Sequence, residues 1–306
     1  MGLRRKLNSR HRHTLVRSPL DGATQGINMY KTIVIHVDGS PQQESRLRAA
    51  ALLASEFGAH LVGSAATGIS WLDYGILTGS AGAPTVAVDF DGLRQFCAEH
   101  LQRFSERASG LGVLSLETRI EDDVADYALL LQSRYADLIV LSQDVETPER
   151  LPRARALPEQ VALRGPRPVL VIPETYREQP IPGTVVVGWD GSMPAIRAIT
   201  AALPLLARAD SVKLALINPD ELTDLHGEQP GADMALYLAR HGAKVDVVLE
   251  RTSSTTGDAM ITLARKSGAG LMVAGAYGHS RFREWVLGGT TRELLERAPV
   301  PLLIAH

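Results

Sequence analysis

The stretch GAYGHSRFREWVLGGTT, Gly275 to Thr291, follows the apolar run Leu271-Met-Val-Ala and leads into the helical pattern Arg292-Glu-Leu-Leu-Glu-Arg. It therefore reads as the end of a strand, a glycine loop and the start of a helix. Two residues separate Gly275 from Gly278, and nine separate Gly278 from Gly288. Glycine reaches positive φ and lets an anion approach the backbone, so such a loop can turn several N–H groups towards one point. The helix behind it adds unsatisfied N–H groups and the positive end of its dipole. Phosphate is the natural guest.

Working outward from the loop, strands and helices alternate along the chain. Tyr30 to Val37 is a β-branched run that ends in Asp38-Gly-Ser-Pro, a turn signal. A helix is expected over Glu44 to Phe57 with Gly58 as its C-cap, and a strand over His60 to Ala66. Helices over Leu93 to Ser109 and Val124 to Arg134 alternate with strands over Val113 to Ile120, Asp137 to Ser142 and Pro168 to Pro173. Strands alternating with helices predict a parallel α/β sheet.

The pattern then starts again. Thr184-Val-Val-Val-Gly-Trp-Asp190-Gly-Ser repeats the opening strand and its turn, with Asp190 lying 152 positions after Asp38. Ala136-Asp-Leu-Ile-Val-Leu-Ser142 matches Ala269-Gly-Leu-Met-Val-Ala-Gly275, and Pro166-Arg-Pro-Val-Leu-Val-Ile172 matches Pro299-Val-Pro-Leu-Leu-Ile-Ala305, both at an offset of 133. The chain is an internal duplication whose first copy carries 19 extra residues. The irregular stretch Thr67 to Asp91 is where they are expected, and Trp71, Tyr74 and Phe90 are read as closing the core of that half in preference to lining a pocket for an apolar ligand.

Because the offset of 133 holds on both sides of the loop, the two copies compare without gaps. Gly275 faces Ser142, Gly278 faces Val145, Gly288 faces Arg155, Gly289 faces Ala156, Thr290 faces Leu157 and Thr291 faces Pro158. Every glycine is gone from the first copy, and Pro158 removes an N–H at the helix start. The first half keeps the scaffold and loses the cradle.

These residues resemble the universal stress protein family, in tandem: one copy over residues 30–175, with a degenerate loop, and a second over 183–306 of the ATP-binding type. That type carries glycine, two residues, glycine, nine residues, glycine, then serine or threonine. The chain has the spacing but places Gly289 where the hydroxyl residue is usual. The resemblance implies an α/β fold of two tandem domains. Each is a five-stranded parallel sheet with helices on both faces, Rossmann-like and adenine nucleotide alpha hydrolase-like, with the nucleotide across the carboxyl ends of the strands. It implies that Asp190 accepts from ribose or adenine and that Leu216 offers backbone to the adenine edge. Gly275 and Gly278 would lie under ribose and α-phosphate, and Gly288, Gly289, Thr290 and Thr291 would hold the β- and γ-phosphates. Arg281 and Arg283 rank below them as neutralising charges. The implied ligand is ATP, with or without Mg²⁺. The family also implies pairing through last strands, here Val169 to Ile172 with Leu302 to Ala305, as a pseudo-dimer within one chain that is free to dimerise further.

Composition narrows the alternatives. A net charge of −2 gives no general reason to expect nucleic acid as a partner. The single cysteine, Cys97, forms no intrachain disulfide and no thiolate metal cage, which fits a reducing, cytoplasmic setting. No apolar run is long enough to span a bilayer. Residues 1–29 read as a disordered basic tail, with Arg4, Arg5, Lys6, Arg10, Arg12 and Arg17 set against Asp21. No histidine spacing suggests a metal. The leading expectation is a stress or signalling regulator that binds an adenine nucleotide, hydrolyses it slowly at most and is read by a protein partner. The competing readings are a nucleotide-free scaffold and an enzyme of adenylate chemistry, although the turn Trp189-Asp-Gly-Ser192 lacks the Ser-Gly-Gly run that such an enzyme would need.

Overall fold

The computed structural model describes residues 30–70, 72, 75–76, 89–143, 156–177, 179–222, 229–277 and 289–306. In the first half the order is β1 (Thr32–His36), α1 (Gln43–Phe57), β2 (His60–Ala66), α2 (Phe90–Gly110), β3 (Leu116–Glu121), α3 (Ala125–Ser133), β4 (Leu138–Ser142), α4 (Leu157–Arg164) and β5 (Val169–Ile172). The second half runs β6 (Thr184–Gly188), α5 (Met193–Leu206), β7 (Ser211–Ile217), α6 (Ala232–Arg240), β8 (Val245–Glu250), α7 (Thr256–Lys266), β9 (Ala269–Gly275), α8 (Gly289–Arg297) and β10 (Leu302–Ala305).

All ten strands join one sheet in the order β3-β2-β1-β4-β5-β10-β9-β6-β7-β8. Read outward from the middle, each half repeats the same order. Every pairing is parallel except β5 with β10, which run antiparallel with Leu302 opposite Val171, Leu303 opposite Leu170 and Ile304 opposite Val169. The two expected five-stranded sheets are therefore fused through their last strands into one. Both seam strands, VLVI and LLIA, are fully buried, as uninterrupted apolar runs require when both faces and both edges are covered. The outer strands LETRIE and VDVVLE carry charge at the open edges, which discourages edge-to-edge association.

Alternate strand residues feed two cores. Ile33, Ile35, Leu138, Val140, Val185 and Val187 face one cluster with α1, α2, α5 and α6. Val34, Ile139, Leu141, Val186 and Met272 face the other with α3, α4, α7 and α8. Each cluster runs through both halves. Tyr30 Oη donates to the Ala201 carbonyl oxygen at 2.8 Å, and the Arg208 guanidinium lies 4.1 Å from the centre of the Phe57 ring, so the halves are also tied beside the sheet.

The expected C-cap at Gly58 is present, with φ 59° and its N–H donating to the Ala54 carbonyl oxygen. The expected strand over Val113 to Ile120 begins later, at Leu116. Val113 belongs instead to the end of α2, where Gly112 (φ 84°) and Val113 donate to the carbonyl oxygens of Ser109 and Ala108 and Val113 supplies the apolar contact that completes the cap. Phe90 is buried at the start of α2, while Trp71 and Tyr74 lie outside the described residues, as does most of the expected insertion.

Candidate functional site

In the second half the chain leaves β6 for β7 and β8 and returns to place β9 on the other side of β6. The carboxyl ends of β6 and β9 thus flank the switch point, where open α/β sheets take ligands. Asp190 follows β6, and its Oδ1 accepts from Ser192 N at 3.0 Å across Gly191, which has φ 76°. Ser192 then caps α5, with its Oγ accepting from Ala195 N at 3.3 Å. Pro194 sits in the first turn, where its missing N–H costs nothing.

Gly275 ends β9 directly beneath that turn. A Cβ at this position would lie 2.5 Å from Ala195 N and 2.8 Å from the Pro194 carbonyl carbon. The close approach of α5 to β9 therefore requires glycine here without reference to a ligand. Two residues on, Tyr277 holds φ 60°, a conformation that costs a non-glycine residue roughly 1 kcal/mol. Its N–H donates to Thr291 Oγ1 at 3.1 Å, which ties the end of β9 to the first turn of α8. Thr291 is buried, Thr290 half-buried and Gly289 exposed, and among the described residues no atom lies within 4 Å of where a Cβ at Gly289 would stand.

Asp190, Gly275, Gly289, Thr290 and Thr291 are thus brought to one edge of the sheet. Leu216 stands one strand away in β7, opposite Leu249, with its side chain fully buried, so only its backbone is available to a ligand. Gly278, Gly288, Arg281 and Arg283 lie outside the described residues. The Thr291 hydroxyl oxygen accepts from Tyr277 N, which leaves its own O–H to donate. The sequence reading missed Tyr277 and Asn218. Asn218 has φ 49° and closes the end of β7 onto β8, accepting from Thr252 N at 2.9 Å and donating to the Thr252 carbonyl oxygen at 3.1 Å. Its tolerance of the left-handed region, in Ile-Asn-Pro-Asp, was the available signal.

The equivalent crevice of the first half is filled from within. Asp38 makes the same turn as Asp190, accepting from Ser40 N at 3.0 Å. Arg46 of α1 then reaches across the strand ends, donating through Nη2 to Asp38 Oδ1 at 2.6 Å and through Nη1 to Ser142 Oγ at 2.7 Å. Ser142 is the counterpart of Gly275, so the guanidinium bridges the same two strand ends that flank the crevice in the second half. Burial alone would raise the Asp38 carboxyl, but Arg46, His36 and the Ser40 hydrogen bonds outweigh it and bring it down to about 2. His36, 3.5 Å from Asp38, is lowered to about 4, by burial first and by Arg46 second, against the opposing pull of Asp38.

Among the described residues no group of three or more His, Cys, Asp or Glu side chains is placed to hold a metal, and no helix is long and apolar enough to cross a membrane. A groove of about 550 Å³ is lined by Tyr127, Leu130, Arg134, Arg164 and Pro166 at the C-terminal ends of α3 and α4. None of the expected site residues lines it, and the strand-end chemistry lies elsewhere.

Residues 183–306 match the family model described as the universal stress protein family. The second half is a universal stress protein domain. Solved universal stress proteins share the fold over nearly the whole chain. One from Archaeoglobus fulgidus DSM 4304 is 16% identical with a TM-score of 0.67, covering 90% of this chain and 97% of its own. A putative universal stress protein from Pseudomonas aeruginosa UCBPP-PA14 is 14% identical with a TM-score of 0.59, covering 90% of this chain and 93% of its own. Among curated proteins there is no match. The universal stress protein fold thus extends across both halves, while the crevice chemistry differs between them.

Proposed function

We propose that the universal stress protein domain of the second half binds one adenine nucleotide, ATP with or without Mg²⁺, and acts as a stress-response or signalling regulator with at most slow hydrolysis. The observation that carries this reading is the contrast between the two crevices. At β6 and β9 the Asp190 turn and the first turn of α8 meet at a switch point, with no described atom within 4 Å of a Cβ at Gly289, whereas at β1 and β4 the same place holds the Arg46 side chain.

The residues fit the group in kind. Asp190 would accept from ribose or adenine, Leu216 would offer backbone, and the free N–H groups of α8 around Gly289 and Thr290 would face phosphate. Gly275 would let the ligand lie close to β9, although the packing of α5 already accounts for it. Gly278 and Gly288 complete the assignment by their spacing. The ligand would supply charge and a conformational signal, and the chain's own groups bind and orient it.

Equilibrium binding of ATP and AMP by calorimetry tests this reading, with Asp190→Ala and Gly289→Glu as controls. Gly289→Glu sets a carboxylate at the helix N-terminus, which suits the helix dipole but repels phosphate, so binding falls while stability holds. Saturable binding of one ATP per chain, lost in both variants, supports the assignment. No saturable binding of either nucleotide overturns it in favour of a nucleotide-free scaffold.

A further inference from the structure

Tyr277 Oη donates to Glu159 Oε1 at 2.6 Å, a contact that leaves the second half altogether and ends in the first turn of α4. We propose that Glu159 is a positioning residue for the candidate phosphate site of the other half: it holds Tyr277, and through the Tyr277 N–H the first turn of α8, in the arrangement that receives phosphate. This inference rests on the nucleotide reading above and adds a dependence of that site on the first half.

Several observations converge on it. Tyr277 is the last described residue of the loop after β9 and immediately precedes Gly278. Its φ of 60° is unfavourable for a side chain of its size, so some contact must hold it there. It is gripped at both ends, by Thr291 Oγ1 at its N–H and by Glu159 at its hydroxyl. The flanking residue is fixed as well, since Ala276 N donates to the Ala305 carbonyl oxygen at 2.8 Å and the Ala276 carbonyl oxygen lies 2.8 Å from His306 Nδ1. Glu159 is itself nine-tenths buried, so its carboxyl is held in a defined place.

At the offset of 133 the counterpart of Tyr277 is Asp144, which lies outside the described residues. At the offset of 133, the counterpart of Glu159 is Arg292, in the first turn of α8. The two equivalent positions meet near the seam with opposite charge, and Arg292 lies within electrostatic reach of both Glu159 and Tyr277. A carboxylate from the half without a ligand loop thus serves the half that has one. Coupling between two sites is reciprocal, so a ligand that binds against Tyr277 and the first turn of α8 also strengthens the hold of α4 on the second half. The degenerate half would then be a support whose packing reports the state of the site.

The test is ATP affinity, measured on the full chain for the unsubstituted protein, Glu159→Ala, Glu159→Gln, Tyr277→Phe and the Tyr277→Phe/Glu159→Ala pair, with thermal unfolding alongside. Glu159→Ala and Tyr277→Phe should each weaken ATP binding about three- to tenfold, the scale for groups that act through an intermediate residue. Glu159→Gln keeps an acceptor oxygen and should stay within about twofold, and the pair should be no weaker than the worse single variant. A merely structural role would instead move the unfolding temperature and leave affinity alone. Tyr277→Phe removes one hydroxyl and keeps the ring, so the answer does not depend on Glu159→Ala folding. Unchanged affinities, additive losses, or Gln as harmful as Ala, in a protein that binds ATP, overturn the positioning role alone. Failure of the unsubstituted protein to bind overturns the nucleotide reading and this inference with it.

Discussion

Arg46 and Ala198 hold equivalent positions, 152 residues apart, on the first helix of each half, and both are buried. One fills the crevice at the strand ends with a guanidinium; the other has no side chain able to reach it. This single difference, together with Ser142 in place of Gly275, accounts for a pair of crevices on one scaffold with opposite prospects for a ligand.

Removing the plug should therefore be costly. Arg46→Ala strands the Asp38 carboxylate and leaves Ser142 without its donor. Breaking a buried pair costs about 3–5 kcal/mol, but Asp38 is about one-third exposed, so a loss of about 2–4 kcal/mol is expected in urea unfolding. Arg46→Met with Asp38→Asn removes both charges and keeps the volume of the stem, and should fall within about 1 kcal/mol of the parent protein. A double variant as unstable as Arg46→Ala would show that the charge pair is not the source of the loss.

The same cluster sets a pH dependence. His36 binds its proton in the folded state only near pH 4, whereas in the unfolded chain it does so near 6.5. Between those values the unfolded state holds more protons, so stability is fully present above about pH 6.5 and declines as pH falls towards 4. The loss attributable to His36 is about 3 kcal/mol by linkage. Unfolding free energies of the parent and of His36→Gln, measured from pH 7.5 to 4, should converge as pH falls. Parallel curves would remove His36 from the account.

How far the sequence could foretell this arrangement depended on the range of the interactions. The buried strands announce themselves, because Val169 to Ile172 and Leu302 to Ala305 are apolar at every position and flank the loop at a constant offset. The glycine spacing of the loop is equally local. Val113 was misplaced because an apolar residue after Gly112 suits a helix cap as well as a strand. Gly275 has a further constraint in Ala195, eighty residues earlier, a contact that no local pattern encodes. Nothing local marks Arg46 within its alanine-rich helix, and the Tyr277–Glu159 bond spans 118 positions.

The seam should behave as core rather than as a contact between independent units. Leu303 is fully buried in β10 opposite Leu170 of β5, and both belong to a cluster that runs through the two halves. Leu303→Ala should cost about 2–5 kcal/mol. Leu249→Ala, on the half-exposed edge strand β8, should cost less than about 1 kcal/mol. Calorimetric unfolding of Leu303→Ala should shift the main transition of the whole chain, and a shift confined to a separate minor transition would count against a shared core.

Gly289 offers the sharpest test of the phosphate assignment, because it is where this chain departs from the hydroxyl residue usual in the ATP-binding pattern. It opens α8, is exposed, and among the described residues has nothing within 4 Å of a prospective Cβ, so a serine fits without displacing any described neighbour. Serine there would add one hydroxyl donor at a helix N-terminus that already favours anions. A hydrogen bond to a charged phosphate contributes about 1.5–3 kcal/mol, so Gly289→Ser should tighten ATP binding about tenfold or more. AMP, which lacks the phosphates assigned to this turn, should gain less than about twofold, since no new bond reaches it. An equal gain for ATP and AMP would place the α-phosphate, rather than the β- and γ-phosphates, at α8, and no gain for either would move the phosphate site away from this helix.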